Sequence, residues 1–190
     1  MAKVFVIDVA RCSGCYNCQL ACKDEHVGND WTPYAKPQPE IGQFWCKVEE
    51  NVCGTLPKVK IHYIPKLCNH CTKAACLEAC PYGVIYFNEE LKISQKCTGC
   101  AHLLDNGWSR PRCADVCPTQ ALKFGEEEEL KDLIEGAEVL KAETGLGPKV
   151  YYRNIPGKFI AGTVYDPVEK DVIEGARCLL SCGPKTWDIV

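Results

Sequence analysis

Cys12-Ser13-Gly14-Cys15-Tyr16-Asn17-Cys18-Gln19-Leu20-Ala21-Cys22 is the stretch whose reading decides the fold. Its C-x2-C-x2-C-x3-C spacing lets three thiolates wrap three corners of one 4Fe-4S cubane, while the fourth sits a helical turn further on and points elsewhere. A fourth ligand that points away asks for a second cluster. Cys97-x2-Cys100-x12-Cys113-x3-Cys117-Pro118 repeats the grammar, and Cys68-x2-Cys71-x4-Cys76-x3-Cys80-Pro81 states it a third time. One such run is compatible with zinc; three read as a series of iron-sulfur centres.

Composition frames that reading. Sixteen cysteines in 190 residues is a high density. The N-terminus, Met1 to Asp8, has no apolar core and no small-residue cleavage site of a secretory signal. The expected compartment is therefore reducing, cytoplasmic by default, with export or membrane association left to a partner. There, dense C-x2-C runs read as metal sites rather than a disulfide framework. No apolar run reaches the eighteen or so residues of a transmembrane segment. A net charge of −3 argues against a nucleic acid partner; three oxidised clusters at about −2 each would take it to about −9.

Outward from the first run, Lys3 to Asp8 reads as a buried strand rich in β-branched residues. Tyr16 to Glu25 reads as a short helix carrying Cys22 away from its loop. Trp31 to Pro39 is rich in proline and aromatics; it reads as an irregular surface excursion, covered by a partner or packing its own rings. Gln43–Glu49 and Lys58–Ile64 read as strands. Val84–Phe87 and Leu91–Ile93 form a hairpin leading into the third run, and a helical turn is expected at His102–Leu104. Four glutamates followed by Leu130, Leu133 and Ile134 predict a helix over Glu126–Ala137. Val150–Tyr152, Phe159–Tyr165 and Gly175–Cys182 read as strands. The fold class is α+β, with 1–157 an iron-sulfur domain and 158–190 a β segment.

Four cysteines stand outside the runs. Cys46 and Cys53 read as plain buried or half-buried thiols. Cys178 and Cys182, four residues apart on one strand, would lie roughly 13 Å apart, beyond the ~7 Å reach of a disulfide. His70, inside the second loop, can hydrogen-bond a cluster sulfur or be solvated. Lys23, Lys66, Lys73, Lys96 and Lys123 lie near the runs and can offset cluster charge. Gly145-Leu146-Gly147-Pro148 lacks the spacing of a phosphate loop, and no catalytic constellation is legible.

In two-run ferredoxins three cysteines of one run hold a cluster and the fourth crosses to the other. That rule predicts Cys12, Cys15 and Cys18 with Cys117, and Cys97, Cys100 and Cys113 with Cys22. Cys68, Cys71, Cys76 and Cys80 then close a third cluster alone, which requires Pro81 to turn the chain back.

Arg11-Cys12 through Cys22-Lys23, Leu67-Cys68-Asn69-His70-Cys71, Cys80-Pro81-Tyr82-Gly83-Val84 and Lys96-Cys97-Thr98-Gly99-Cys100-Ala101-His102-Leu103-Leu104 closely resemble the iron-sulfur electron-transfer subunits of the molybdenum/tungsten bis-pyranopterin (DMSO reductase) family. The match spans about residues 3 to 155 and is strongest with the small subunits of polyphenol-converting members, transhydroxylases and catechol dehydroxylases. Usual members carry four cysteine runs; here the tail of their third looks fused onto the second. The resemblance implies two ferredoxin-like modules with the same ligand pairing. Phe159–Val164 and Gly175–Arg177 resemble the opening of a small β-sandwich. It also implies a non-catalytic subunit docked on a large molybdopterin-bearing catalytic subunit that adds or removes a polyphenol hydroxyl. A free-standing polyferredoxin and a zinc-bearing interaction module are the competing readings.

Overall fold

Strand β1 (Lys3–Asp8) organises the sheet of the larger unit, drawing in residues 122–126 and 150–153. Val4, Phe5, Val6 and Ile7 are all buried, because β1 is the middle strand of a three-stranded sheet and its two faces are both covered. Each such side chain contributes roughly 1.5–3 kcal/mol of apolar burial. The structure is a computed structural model that describes residues 2–73, 76, 80–157, 160 and 162–189, without the side chain of Cys182. It is a mixed α+β protein of short helices and small sheets.

The remaining elements, in chain order, are α1 (Asn17–His26), β2 (Cys46–Thr55), β3 (Lys58–Leu67), β4 (Tyr86–Asn88), β5 (Ile93–Gln95), α2 (Ala101–Asp105), α3 (Arg112–Asp115), β6 (Leu122–Glu126), α4 (Lys131–Ile134), β7 (Val150–Arg153), β8 (Cys178–Cys182) and β9 (Lys185–Ile189). β1 pairs antiparallel with β6, Ile7 opposite Leu122 and Lys3 opposite Glu126. It pairs parallel with β7, Phe5 opposite Val150 and Asp8 opposite Arg153. Two compact units result, Met1–Val52 with Ile61–Gly157, and Cys53–Lys60 with Lys158–Val190.

β6 departs from expectation. The helix expected over Glu126–Ala137 is reduced to α4, because Leu122 and Phe124 alternate with Lys123 and Gly125 as a strand, and that strand has β1 to pair with. The acidic run serves the turn that follows. Glu129 Oε2 accepts from the Glu126 amide at 3.2 Å, and Glu127 accepts from Lys149 Nζ at 2.9 Å and Tyr151 Oη at 3.2 Å. Both strands of the β4–β5 hairpin begin two residues later than expected. Asn88 sets that register: its side chain accepts from the Glu90 and Leu91 amides and so ends β4.

In the second unit, β8 and β9 form an antiparallel hairpin around Gly183, with Cys178 opposite Ile189. Arg177 forks onto Asp188 beside it. Of the strand expected over Phe159–Tyr165, Phe159 and Ala161 lie outside the described residues. Gly162–Val164 are irregular, and Tyr165 makes one bridge to Val172. The Asp166 carboxylate explains the interruption, since it accepts from Val168 and Glu169 amides at 2.7 and 2.9 Å and turns the chain at once.

Candidate iron-sulfur site

The three C-x2-C loops share one backbone device. The residue just before the second cysteine is left-handed in each: Gly14 at φ +67°, His70 at φ +45° and Gly99 at φ +66°. This kink turns that residue's amide back onto the first thiol. The His70 N–H donates to Cys68 Sγ at 3.5 Å and the Gly99 N–H to Cys97 Sγ at 3.3 Å; the Gly14 N–H acts on Cys12 in the same way. Further on, the Ala121 amide donates to Cys117 Sγ at 3.2 Å. Backbone N–H groups aimed at sulfur stabilise thiolate over thiol and tune any metal centre bound there.

Helix α1 presents Cys18 and Cys22, both buried, and lies against α3, which carries Cys113. The cysteines sort by which thiols sense one another's charge. Burial pushes the Cys12 thiol up, and Cys18, Cys117 and Cys15 push the same way. Cys22 is held well above the ordinary thiol range by burial first, then by Cys97, Cys113 and Cys100. Burial raises Cys68, with Cys76 and Cys80 adding to it, and Cys71 is raised by burial, Cys68 and Cys76. Cys100 is pushed up to about 12, mainly by burial. Such thiols need a compensating cationic core to ionise.

Two contacts run between these groups. Cys46 is 1% exposed; Cys113 and Cys18, with burial, hold its thiol well above the ordinary range, and its backbone acts on Cys22 in the opposite sense. Cys68 adds to the rise at Cys97. Spacing identifies Cys46 only as an unassigned thiol: it lacks a C-x2-C neighbour, and only the packing of β2 on α1 brings it there. Cys53 is half-buried and Cys178 exposed. Of the lysines, Lys96 stabilises the Cys68 thiolate, while Lys23 turns its ammonium to the carbonyls of Pro39 and Gln43 and Lys66 pairs with Glu49 at 2.5 Å.

The donor set fits a thiolate-bound cluster. Buried His70 Nε2, Tyr82 Oη and Thr98 Oγ1 have no hydrogen-bond partner among the described residues, and each can donate to a sulfide. Among those residues no three Cys, His, Asp or Glu groups converge on a point for one ion, whereas tetrahedral zinc at about 2.3 Å would hold its sulfurs about 3.8 Å apart.

Around the α1–α3 contact lies a polar knot, buried at His102 and half-buried at Glu25 and Arg112. His102 Nε2 meets Glu25 Oε1 at 3.0 Å and Arg112 Nε meets Glu25 Oε2 at 3.3 Å. Trp31 stacks on His102 at 4.4 Å and donates its indole N–H to the Glu25 carbonyl at 2.8 Å. His26, held at about 4 by burial, packs on His102 and Trp45. So the excursion over Trp31–Pro39 packs its own rings inward at Trp31, while Tyr34 is 40% exposed. No helix among the described residues is long and apolar enough to cross a membrane.

Comparison with known proteins agrees with this chemistry. Residues 75–127 match a family model described as a 4Fe-4S dicluster domain. The small subunit of pyrogallol hydroxytransferase from Pelobacter acidigallici is 36% identical over 95% of this chain and 79% of its own length. A tetrathionate reductase subunit from Salmonella typhimurium is 26% identical over 82% of this chain and 73% of its own. The iron-sulfur subunit of arsenate respiratory reductase from Shewanella sp. is 39% identical over 50% of this chain and 37% of its own. With amides turned onto loop thiols and a relative of this identity over nearly the whole of this chain, the chain belongs to the iron-sulfur electron-transfer subunits of the DMSO reductase family.

Proposed function

We propose that the chain holds three 4Fe-4S clusters in a row and relays electrons to or from a large molybdopterin-containing subunit. The observation that supports it is the sorting of twelve thiols into three groups, with Cys22 sensing Cys97, Cys100 and Cys113 and Cys12 sensing Cys117. The ligand sets are then Cys12, Cys15, Cys18 and Cys117; Cys97, Cys100, Cys113 and Cys22; and Cys68, Cys71, Cys76 and Cys80. A 4Fe-4S cluster, when bound, takes up and returns one electron at a potential set by its surroundings. The chain's own residues supply those surroundings. Loop amides stabilise charge on the thiolates, and Lys96 offsets it at Cys68. Cys46, sensing Cys18 and Cys113, and Cys97, sensing Cys68, support a row with the Cys97 set in the middle.

Residues 1–157 form the iron-sulfur domain, two ferredoxin-like modules in origin, and 158–190 open a small β-sandwich. The partner acts on a polyphenol, by pyrogallol transhydroxylation or catechol dehydroxylation; the pyrogallol hydroxytransferase relative supports this. The complex is cytoplasmic unless the partner carries an export signal. Iron and acid-labile sulfide analysis tests the relay: about twelve of each per chain are expected. Zinc without sulfide overturns it. Purification without a molybdenum- or tungsten-bearing chain points instead to a free-standing carrier.

A further inference from the structure

His70 stands where the first and third loops carry glycine, and its left-handed backbone sends an imidazole into the gap between the second and third loops. The ring stacks on Phe5, centroids 6.3 Å apart and planes 20° apart. Its opposite edge lies against Gly99, with Cε1 and Nε2 at 3.7 and 3.8 Å from where a Cβ there would sit. The Gly99 amide in turn donates to Cys97 Sγ. Nε2 is buried and has no partner among the described residues, and neither has the neighbouring Thr98 hydroxyl. A buried imidazole nitrogen without a partner is costly, and the first thiols of the two loops, Cys68 and Cys97, only accept once they are cluster ligands. The tautomer that suits them carries its proton on Nε2.

We propose that His70 is a positioning residue that donates its Nε2–H to a sulfur of the cluster held by the Cys97 set, so that the second loop tunes the cluster of the third. This rests on the ligand sets above. The donor stabilises the reduced, more negative state of the middle cluster and leaves that of the Cys12 set untouched. A hydrogen bond to a charged acceptor shifts the reduction equilibrium about tenfold, or about 59 mV for one electron.

The test is a redox titration, followed by electron paramagnetic resonance, of the cluster-loaded protein and of His70→Phe and His70→Asn. The first keeps a flat ring against Phe5 and Gly99 without an N–H; the second tolerates the left-handed backbone but is too short to reach. Each is expected to lower the midpoint of the middle cluster about tenfold in equilibrium terms at unchanged iron content. Three unchanged midpoints, or a shift confined to the cluster of the Cys68 set, overturn the proposal. Should neither variant load iron, hyperfine spectroscopy of the unsubstituted protein labelled with 15N-histidine decides: coupling to the reduced middle cluster is expected, and its absence overturns the proposal. Fewer than about twelve irons in the unsubstituted protein would instead remove the ligand sets, and the proposal with them.

Discussion

Gly14 and Gly99 occupy the same position in their loops and have nearly the same left-handed backbone, yet the structure assigns them different tolerance to a side chain. A Cβ on Gly14 would lie 2.5–2.6 Å from three atoms of the Tyr63 ring; on Gly99 its nearest neighbours are His70 atoms at 3.7 and 3.8 Å. Gly14→Ala and Gly99→Ala therefore share the left-handed penalty, about 1–2 kcal/mol. Gly14→Ala adds the cost of displacing a ring that also packs edge-on against Tyr16 at 6.2 Å, about 1–3 kcal/mol by analogy with overpacking. At about 2–4 °C per kcal/mol for a chain of this size, the two variants should differ by about 2–12 °C in apparent melting midpoint. The assay is loss of cluster absorbance at a fixed scan rate, since cluster release is irreversible. Removing the ring in Tyr63→Ala should bring the double variant's loss down to that of Gly99→Ala. Equal damage from both glycine substitutions, or no relief on deleting the ring, would refute the reasoning.

Further outcomes follow from the site. Cys117→Ala should abolish the resonance signal of the cluster held by Cys12, Cys15 and Cys18; an effect confined to that of Cys97 and Cys100 contradicts the crossing. Replacing Cys46, Cys53, Cys178 and Cys182 together with serine should leave about twelve irons, whereas loss of four would mean another cluster. His26 is about 4 folded against 6.5 in its ordinary state, so protons favour the unfolded chain between these values. Its contribution is complete above pH 6.5, falls as the pH drops to about 4, and amounts to at most about 3 kcal/mol; His26→Leu should flatten that limb of the melting-midpoint profile. Amides 31–39 should gain hydrogen-exchange protection when the catalytic subunit is added, and equal exchange with and without it moves the docking face elsewhere.

Much of this was legible because thiol spacing is a local signal. β1 announced itself through its β-branched residues, and α1 through the cysteine loop it follows. β6 did not, although Leu122 and Phe124 alternate, because the four glutamates after it mimic a helix start, and only β1 as a partner decides between the two. The role of Cys46 was hidden for a related reason. Its neighbours Cys18 and Cys113 are 28 and 67 residues away, and no pattern along the chain encodes that meeting. The knot of Glu25, His102 and Arg112 is equally non-local, joining residues up to 87 apart. His70 alone carried a hint, since an imidazole stands where a glycine is expected.

The pairing of β1 also dictates an order of birth. Its two neighbours are residues 122–126 and 150–153, so the first strand made waits more than a hundred residues for its sheet, and Cys12 leaves the ribosome some hundred residues before Cys117. On the ligand sets proposed, Cys68 through Cys80 are the first to be complete as the chain emerges; the other two sets must wait, half-assembled, for Cys113 and Cys117. During that interval a buried-type strand and the four thiols of the first run stand exposed, which is when a nascent chain aggregates or oxidises. A holding factor would therefore be needed early, on the ribosome, rather than after release.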